Sequence, residues 1–307
     1  MRWLGLFPIL ASIVACVLGF LCIFAGSQPD VMEDYDLINV NTSQMLQNLI
    51  DLNPTPSNEG SDGLLSGLLS NVTDRVTGWI DDKIDAGITD LTEELGINDF
   101  YSVHMMDYCT GSYGPNSVPN ATLLESDFDK NVTECSNRTA SFSFDLADIL
   151  EETLNKSGID ISLDDLRFPD ELQNGLDALA GLFQAAFILF CIGIALSFFA
   201  MIFPLWFIIS SGRGVGRGRV AALVNLVIAM LAFLAYGIAS AITTTLIVKG
   251  TNVINKYGEN IGIEAKQGAK FLGISWAATG LMFLSAIIWC GGCIVGRRRR
   301  TQVVKEG

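Results

Sequence analysis

Histidine is almost missing from this chain, since His104 is the only one in 307 residues. That shortage removes most Ser/His, Cys/His and multi-His metal sites at once. Charge is scarce as well: charged side chains make up 17%, against about 25% in a typical soluble domain. A phosphate-binding loop is lacking too. Gly212, Gly214, Gly216 and Gly218 alternate with Arg and Val, with no strand before them and no P-loop lysine. No basic, aromatic face suited to nucleic acid is present. Carboxylate pairs such as Asp81/Asp82 and Asp164/Asp165 exist, but on an acidic surface they read as solvated faces rather than acid/base pairs. These absences predict a non-enzymatic protein with no catalytic, metal or cofactor site.

The missing charge is concentrated. Trp3–Ala25, Leu179–Ile209, Val220–Val248 and Phe271–Val295 contain no Asp, Glu, Lys, Arg or His. Each exceeds the roughly 20 residues a helix needs to cross about 30 Å of hydrocarbon, and lipid leaves the helix as the way to satisfy their backbone groups. The predicted class is an all-α membrane protein. It is a four-transmembrane-helix bundle with a large extracellular loop domain of mixed α and short β and one disulfide. The expected segments are span one at 1–25, the loop domain at 26–178 and span two at 179–210. A cytosolic loop at 211–219, span three at 220–248 and a short outer loop at 249–270 follow, then span four at 271–296 and a cytosolic tail at 297–307. The competing reading of the first run is a cleaved signal peptide. Its 23 uncharged residues exceed the about 7–15 of a signal core, which favours an uncleaved span.

What is abundant is acid, in one place. Residues 26–178 hold 30 Asp/Glu against 6 Lys/Arg, while the rest of the chain holds 3 against 13. By the positive-inside rule both termini are cytosolic. Arg2, Arg213, Arg217, Arg219, Arg297, Arg298, Arg299, Arg300 and Lys305 then lie inside. The opposing Lys249, Lys256, Lys266 and Lys270 are offset by Glu259 and Glu264. Six N-glycosylation sequons, at Asn41, Asn71, Asn120, Asn131, Asn137 and Asn155, all fall in the predicted outer segment.

Within that segment, residues 26–60 read as a flexible tether, with Pro29, Pro54 and Pro56 and few large apolar side chains. Residues 62–97 place Leu65, Leu69, Val72, Val76, Ile80, Ile84, Ile88, Leu91 and Leu95 on one helical face. That face packs on its own domain or, on a second reading, on a membrane or partner. Alternation over 140–144 predicts a short strand. Leu146, Ile149, Leu150 and Leu154 suggest a helix, and 169–179 a helical lead into span two.

Five of the seven cysteines lie in the spans, leaving Cys109 and Cys135 outside. In an oxidising compartment these two most simply pair, the alternative being two free thiols. Cys290 and Cys293 sit beside the Arg297–Arg300 cluster and read either as S-acylation sites or as small side chains of a helix. Arg297, Arg298, Arg299 and Arg300 are positioned to contact anionic lipid, at about 1 kcal/mol per charge. Polar residues in the spans are mild. Asn225 reads as interhelical glue, and Ala269, Gly273 and Ala277, like Gly237 and Ala241, form small-residue stripes for close packing within or between chains.

The run Asp99-Phe100-Tyr101-Ser102-Val103-His104-Met105-Met106-Asp107-Tyr108-Cys109-Thr110-Gly111, followed by Cys135 and by Phe142-Ser143-Phe144-Asp145, resembles the signature of the fungal cortical-patch (Sur)/PalI family of tetraspan proteins. In that family Tyr101, Ser102, His104, Tyr108, Cys109, Gly111, Phe142, Phe144 and Asp145 match the motif positions. The resemblance implies a distantly claudin-like architecture and residence in static, eisosome-associated plasma-membrane domains. It also implies roles in cortical organisation, endocytosis and cell-wall integrity, or in ambient-pH signalling in the PalI branch. Plasma-membrane lipids, lateral homo- or hetero-oligomers and cell-wall contact are the expected partners. The 11 residues after span four are fewer than family members often carry, which moves weight from the tail to the outer domain and the spans.

Overall fold

A computed structural model describes residues 6–26, 28, 31–43, 98–114, 129–140, 142, 149, 170–210, 217–258 and 262–306. Along the chain these form helix α1 (Leu6–Phe24), a 3-10 turn (Glu33–Tyr35), and strands β1 (Ile38–Asn41), β2 (Phe100–Val103), β3 (Tyr108–Gly114) and β4 (Asp129–Cys135). Helices α2 (Asp170–Ser210) and α3 (Arg217–Gly258), strand β5 (Glu264–Gln267) and helix α4 (Ala269–Glu306) follow. The chain divides into a helical unit of residues 1–25, 182–246 and 268–307, and a sheet unit of residues 26–181 and 247–267.

The helical unit follows from the four uncharged runs. Leu6–Phe24, Gly181–Trp206, Val220–Gly258 and Ala269–Ile294 are each long and apolar enough to cross a membrane. Their outward positions are as apolar as the inward ones. Leu10 and Val17 on α1, Ile188 and Phe199 on α2, Leu231 and Ile238 on α3, and Phe283 and Ile287 on α4 are all exposed. Water would penalise so much exposed apolar surface, whereas hydrocarbon does not. The inward line is small: Ala11, Ser12 and Ala15 on α1, which packs along α4, and Ala232, Ala239 and Ala278 on α3 and α4. Pro204 sits inside α2, and α2 begins at Asp170, so the expected lead over 169–179 is helical.

Two packing expectations change. Asn225 is fully buried, but its amide donates to the Ala221 carbonyl of its own helix at 2.9 Å, and its Oδ1 has no partner among the described residues. It is not interhelical glue. The close fit lets the side chain fold back on the preceding turn, the bond that helical Asn makes most locally. Ala269, Gly273 and Ala277 are exposed, so that stripe takes no part in packing this chain's own helices. The inward face of α4 is instead Phe271, Ser275, Ala278, Thr279, Met282 and Ala286.

The sheet unit holds a five-stranded antiparallel sheet in the order β4-β3-β2-β1-β5. Its register pairs Val40 with both Tyr101 and Ala265, and Cys109 with Cys135. The structure corrects the reading of 26–60 as a tether: residues 38–41 form β1, a central strand. Only Leu37, Ile38 and Val40 carry the apolar signal, all buried to 4% exposure or less, and composition averaged over 35 residues hides so short a run. Of the strand expected over 140–144, Ala140 lies in a turn and Phe142 in no strand, and the other positions lie outside the described residues. In the segment expected as a short outer loop, 249–270, α3 continues to Gly258 and β5 joins the sheet. The helix expected over 62–97 lies outside the described residues, as does that over 146–154 apart from Ile149, which is helical.

Candidate functional site

The motif residues fold into one hairpin, β2–β3, with a four-residue connection His104–Asp107 closed by the His104 N–H donating to the Asp107 carbonyl at 2.9 Å. Each motif side chain has a physical task. Tyr101 is fully buried and its ring lies 6.4 Å from that of Tyr108, which in turn lies 6.4 Å from Phe142. This aromatic row, with Ile38, Val40 and Val103, makes one face of the sheet apolar. Cys109 is bridged to Cys135 directly across the β3–β4 pair. Gly111 stands at a β-bulge where a Cβ would overlap the carbonyl oxygen of Asn131 and press on the Phe100 ring at 2.8 Å, so only glycine lets β4 approach.

Ser102 belongs to the opposite, polar face. The Asn39 amide donates to Ser102 Oγ at 3.0 Å and to Asp36 Oδ2 at 3.2 Å, and the Tyr113 hydroxyl approaches Asn39 Oδ1 at 3.5 Å. Asp99 accepts the Tyr113 N–H at 2.9 Å. Lys130 lies 3.8 Å from Asp36 and 5.8 Å over the Phe100 ring. Two carboxylates are thus held in a nearly closed network in which charge, amide and hydroxyl satisfy one another.

His104 is the least expected member. It is 1% exposed, and its ring packs on Gly26, whose φ of +74° suits glycine and where any Cβ would overlap the imidazole. Neither ring nitrogen completes a hydrogen bond among the described residues. Burial pulls its pKa down to about 4; the Tyr35 backbone opposes this and the Lys130 charge adds to it. The ring is therefore a neutral packing element at ordinary pH. Asp107, 1% exposed, has an Oδ2 without a partner among the described residues, and burial pushes its carboxyl up to about 6 against the opposing pull of Arg138. The Cys109 sulfur lies 3.2 Å from the Gly26 carbonyl oxygen; a bridged sulfur has no proton to donate, so this is a contact.

Other predicted residues fall elsewhere. Asn41 ends β1 and is half-buried, while Asn131 on β4 and Asn137 just beyond it are exposed. Asn71, Asn120, Asn155, Phe144 and Asp145 lie outside the described residues. Cys290 is exposed and Cys293 half-buried on α4. The backbone of Arg297, Arg298, Arg299 and Arg300 continues the same helix, their side chains lying outside the described residues. Among the described residues no group of three or more His, Cys, Asp or Glu side chains could hold a metal ion.

Several interactions were not legible beforehand. Tyr236, fully buried on α3, fits a notch left by Gly19 and Gly193. Its hydroxyl donates to the Ala15 carbonyl at 3.2 Å and lies 3.3 Å from Ser197 Oγ, so one side chain ties α1, α2 and α3. Ser240 and Thr279, 3.1 Å apart, and Trp276 donating to Thr244 at 3.1 Å join α3 to α4. At the sheet margin, Asn255 of α3 binds Ala265 of β5 twice, donating to its carbonyl at 3.0 Å and accepting its N–H at 2.6 Å. Its amide stands in for a further strand. A buried tyrosine among small residues in an apolar run is the only sequence signal for the Tyr236 contacts, and nothing in the sequence marks the Asn255 bonds.

The chain is 26% identical over 200 residues to the SUR7 family protein pun1 of Schizosaccharomyces pombe, an alignment covering 61% of this chain and 60% of that relative. The chain thus spans less than two thirds of the length of the curated relative it matches. No solved structure matches it. The model of the SUR7/PalI family matches residues 4–288, from the first membrane helix through the bridged sheet strands into the fourth membrane helix, and the protein therefore belongs to the SUR7/PalI family.

Proposed function

We propose that the protein is a non-enzymatic structural organiser of fungal plasma-membrane domains of the eisosome or cortical-patch kind, supporting cortical organisation, endocytosis and cell-wall integrity. The observation that carries the reading is how the motif is used. Tyr101, Ser102, His104, Tyr108, Cys109 and Gly111 are committed to aromatic packing, a polar network, a bridge and a bulge, each of which builds a rigid surface. In this reading the termini are cytosolic and the sheet unit faces the wall. The sequons Asn41, Asn71, Asn120, Asn131, Asn137 and Asn155 are the candidate glycan acceptors, Cys290 and Cys293 the acylation sites, and Arg297–Arg300 the contact to acidic lipid. Lateral association with like proteins and lipid spreads the domain. Imaging the tagged protein in living cells beside an eisosome marker tests this: coincident, immobile patches are expected, and a diffuse or purely internal-membrane signal contradicts it.

One observation favours a second reading, a membrane subunit of a PalI-like complex that senses pH or wall stress. Asp107 is a buried carboxyl at the hairpin tip whose Oδ2 has no partner among the described residues, and burial pushes it up to about 6. Deleting the protein and finding normal alkaline and wall-stress responses removes that reading.

A further inference from the structure

A β-sheet exposes unpaired backbone groups at both margins, and natural proteins cover them, because a bare edge recruits other strands. Here the margins are β5 and β4. The β5 margin is covered from within the chain, by the paired bonds between Asn255 and Ala265. Among the described residues β4 has one strand partner, β3. It is also where two sequons fall: Asn131-Val132-Thr133 lies within β4, and Asn137-Arg138-Thr139 begins two residues after it. Asn131 pairs with Ser112, and both are exposed, so its amide stands clear of the core; Asn137 and Thr139 are exposed as well.

The third described sequon, Asn41-Thr42-Ser43, is in the opposite situation. Asn41 pairs with Phe100 on one side and Glu264 on the other. Its Oδ1 accepts the Ser43 N–H at 2.9 Å and the Ser43 hydroxyl at 2.7 Å. Thr42 is 0% and Ser43 3% exposed, with Thr42 Oγ1 donating to the Asn98 carbonyl at 2.6 Å. A bulky glycan here would have to displace packed strand ends.

We infer that N-linked carbohydrate on Asn131 and Asn137 covers the β4 margin of the sheet, as the Asn255 amide covers the β5 margin, and that Asn41 carries none. This rests on the extracellular placement of the sheet unit proposed above. The glycans are hydrophilic and bulky, so they keep the edge from pairing with another copy while leaving lateral contacts to other surfaces.

The test uses the full-length protein purified from fungal membranes. Glycopeptide mass spectrometry should find Asn131 and Asn137 occupied and Asn41 bare. The double variant Asn131→Gln/Asn137→Gln should migrate two glycan steps faster and shift in size-exclusion chromatography towards higher-order species. The non-reducing gel position of the bridged protein serves as its folding control. Trimming the folded wild-type protein with an endoglycosidase repeats the test without a mutation, and should produce the same shift. An occupied Asn41, a bare Asn131 or Asn137, or a trimmed protein as monodisperse as the untreated one overturns the inference. Glycans on Asn71, Asn120 or Asn155 with Asn131 bare would overturn it while leaving the topology intact; a protein without glycan at any sequon would overturn both.

Discussion

The two units meet the same requirement, fixing a polar or aromatic side chain in a tight place, by different means. In the helical unit Tyr236 fills a notch at Gly19 and Gly193, and its hydroxyl finds partners on two other helices. Other hydroxyls, such as Ser12 and Thr243, bond back to their own helices. In the sheet unit His104 fills the space over Gly26 with neither ring nitrogen hydrogen-bonded among the described residues, in a unit that the Cys109–Cys135 bridge ties together. Hydrocarbon offers no substitute for a lost hydrogen bond, so the spans hold their hydroxyls this way, although Asn225 Oδ1 and Ser285 Oγ are buried without a partner among the described residues. The bridged sheet unit has covalent stability in reserve where it buries the His104 ring.

The bridge is where that contrast breaks most visibly. Replacing Cys109 and Cys135 by Ser together should remove about 3–4 kcal/mol from the sheet unit. The expected readout is rapid proteolysis within the sheet unit, with the helical circular-dichroism signal retained. Retained protease resistance would show that the buried network alone holds the sheet. Next in size is the notch. Gly19→Leu forces a side chain into the Tyr236 site and should cost about 1–3 kcal/mol of bundle stability, whereas Tyr236→Phe, which keeps the ring and loses the hydroxyl, should cost about 1 kcal/mol. Detergent-denaturation midpoints of the two variants measure the ratio between packing and hydrogen bonding in the spans.

The smallest effect is the pH dependence of the hairpin. The His104 pKa falls on folding from 6.5 to about 4, so the stability from keeping it neutral is full above pH 6.5 and is lost as pH falls towards 4. Asp107 rises from 3.8 to about 6, so its contribution has the opposite sense: it is full below about pH 4 and is lost as pH rises through 6. The two partly offset. His104→Gln should flatten the acid limb of a protease-resistance profile, and Asp107→Asn should raise resistance at neutral pH. Unchanged profiles in both variants would show that neither group is desolvated.

How much of this was legible followed from the solvent each unit faces. Lipid imposes one rule on 20 consecutive residues, so the four uncharged runs announced four helices, misplacing only their ends. The sheet is assembled from pieces of four to seven residues at 38–41, 100–114, 129–135 and 264–267, brought together across large sequence distances. No local window contains that information. Ile38 and Val40 vanish in an acidic, proline-containing segment, and β5 has the sequence Glu-Ala-Lys-Gln, polar at every position but one. The bridge was readable because only two cysteines lie outside the spans. The Asn255 bonds to Ala265, the Tyr236 notch and the fold-back of Asn225 depend on atoms meeting in three dimensions, and residue type alone does not encode them.

The account depends on water outside the cell holding the acidic segment while lipid holds the four helices. Protease added to intact, wall-stripped cells carrying tags on both termini tests it directly. Cleavage between residues 26 and 178 with both tags preserved is the predicted result; loss of the tags with that segment uncut would contradict it.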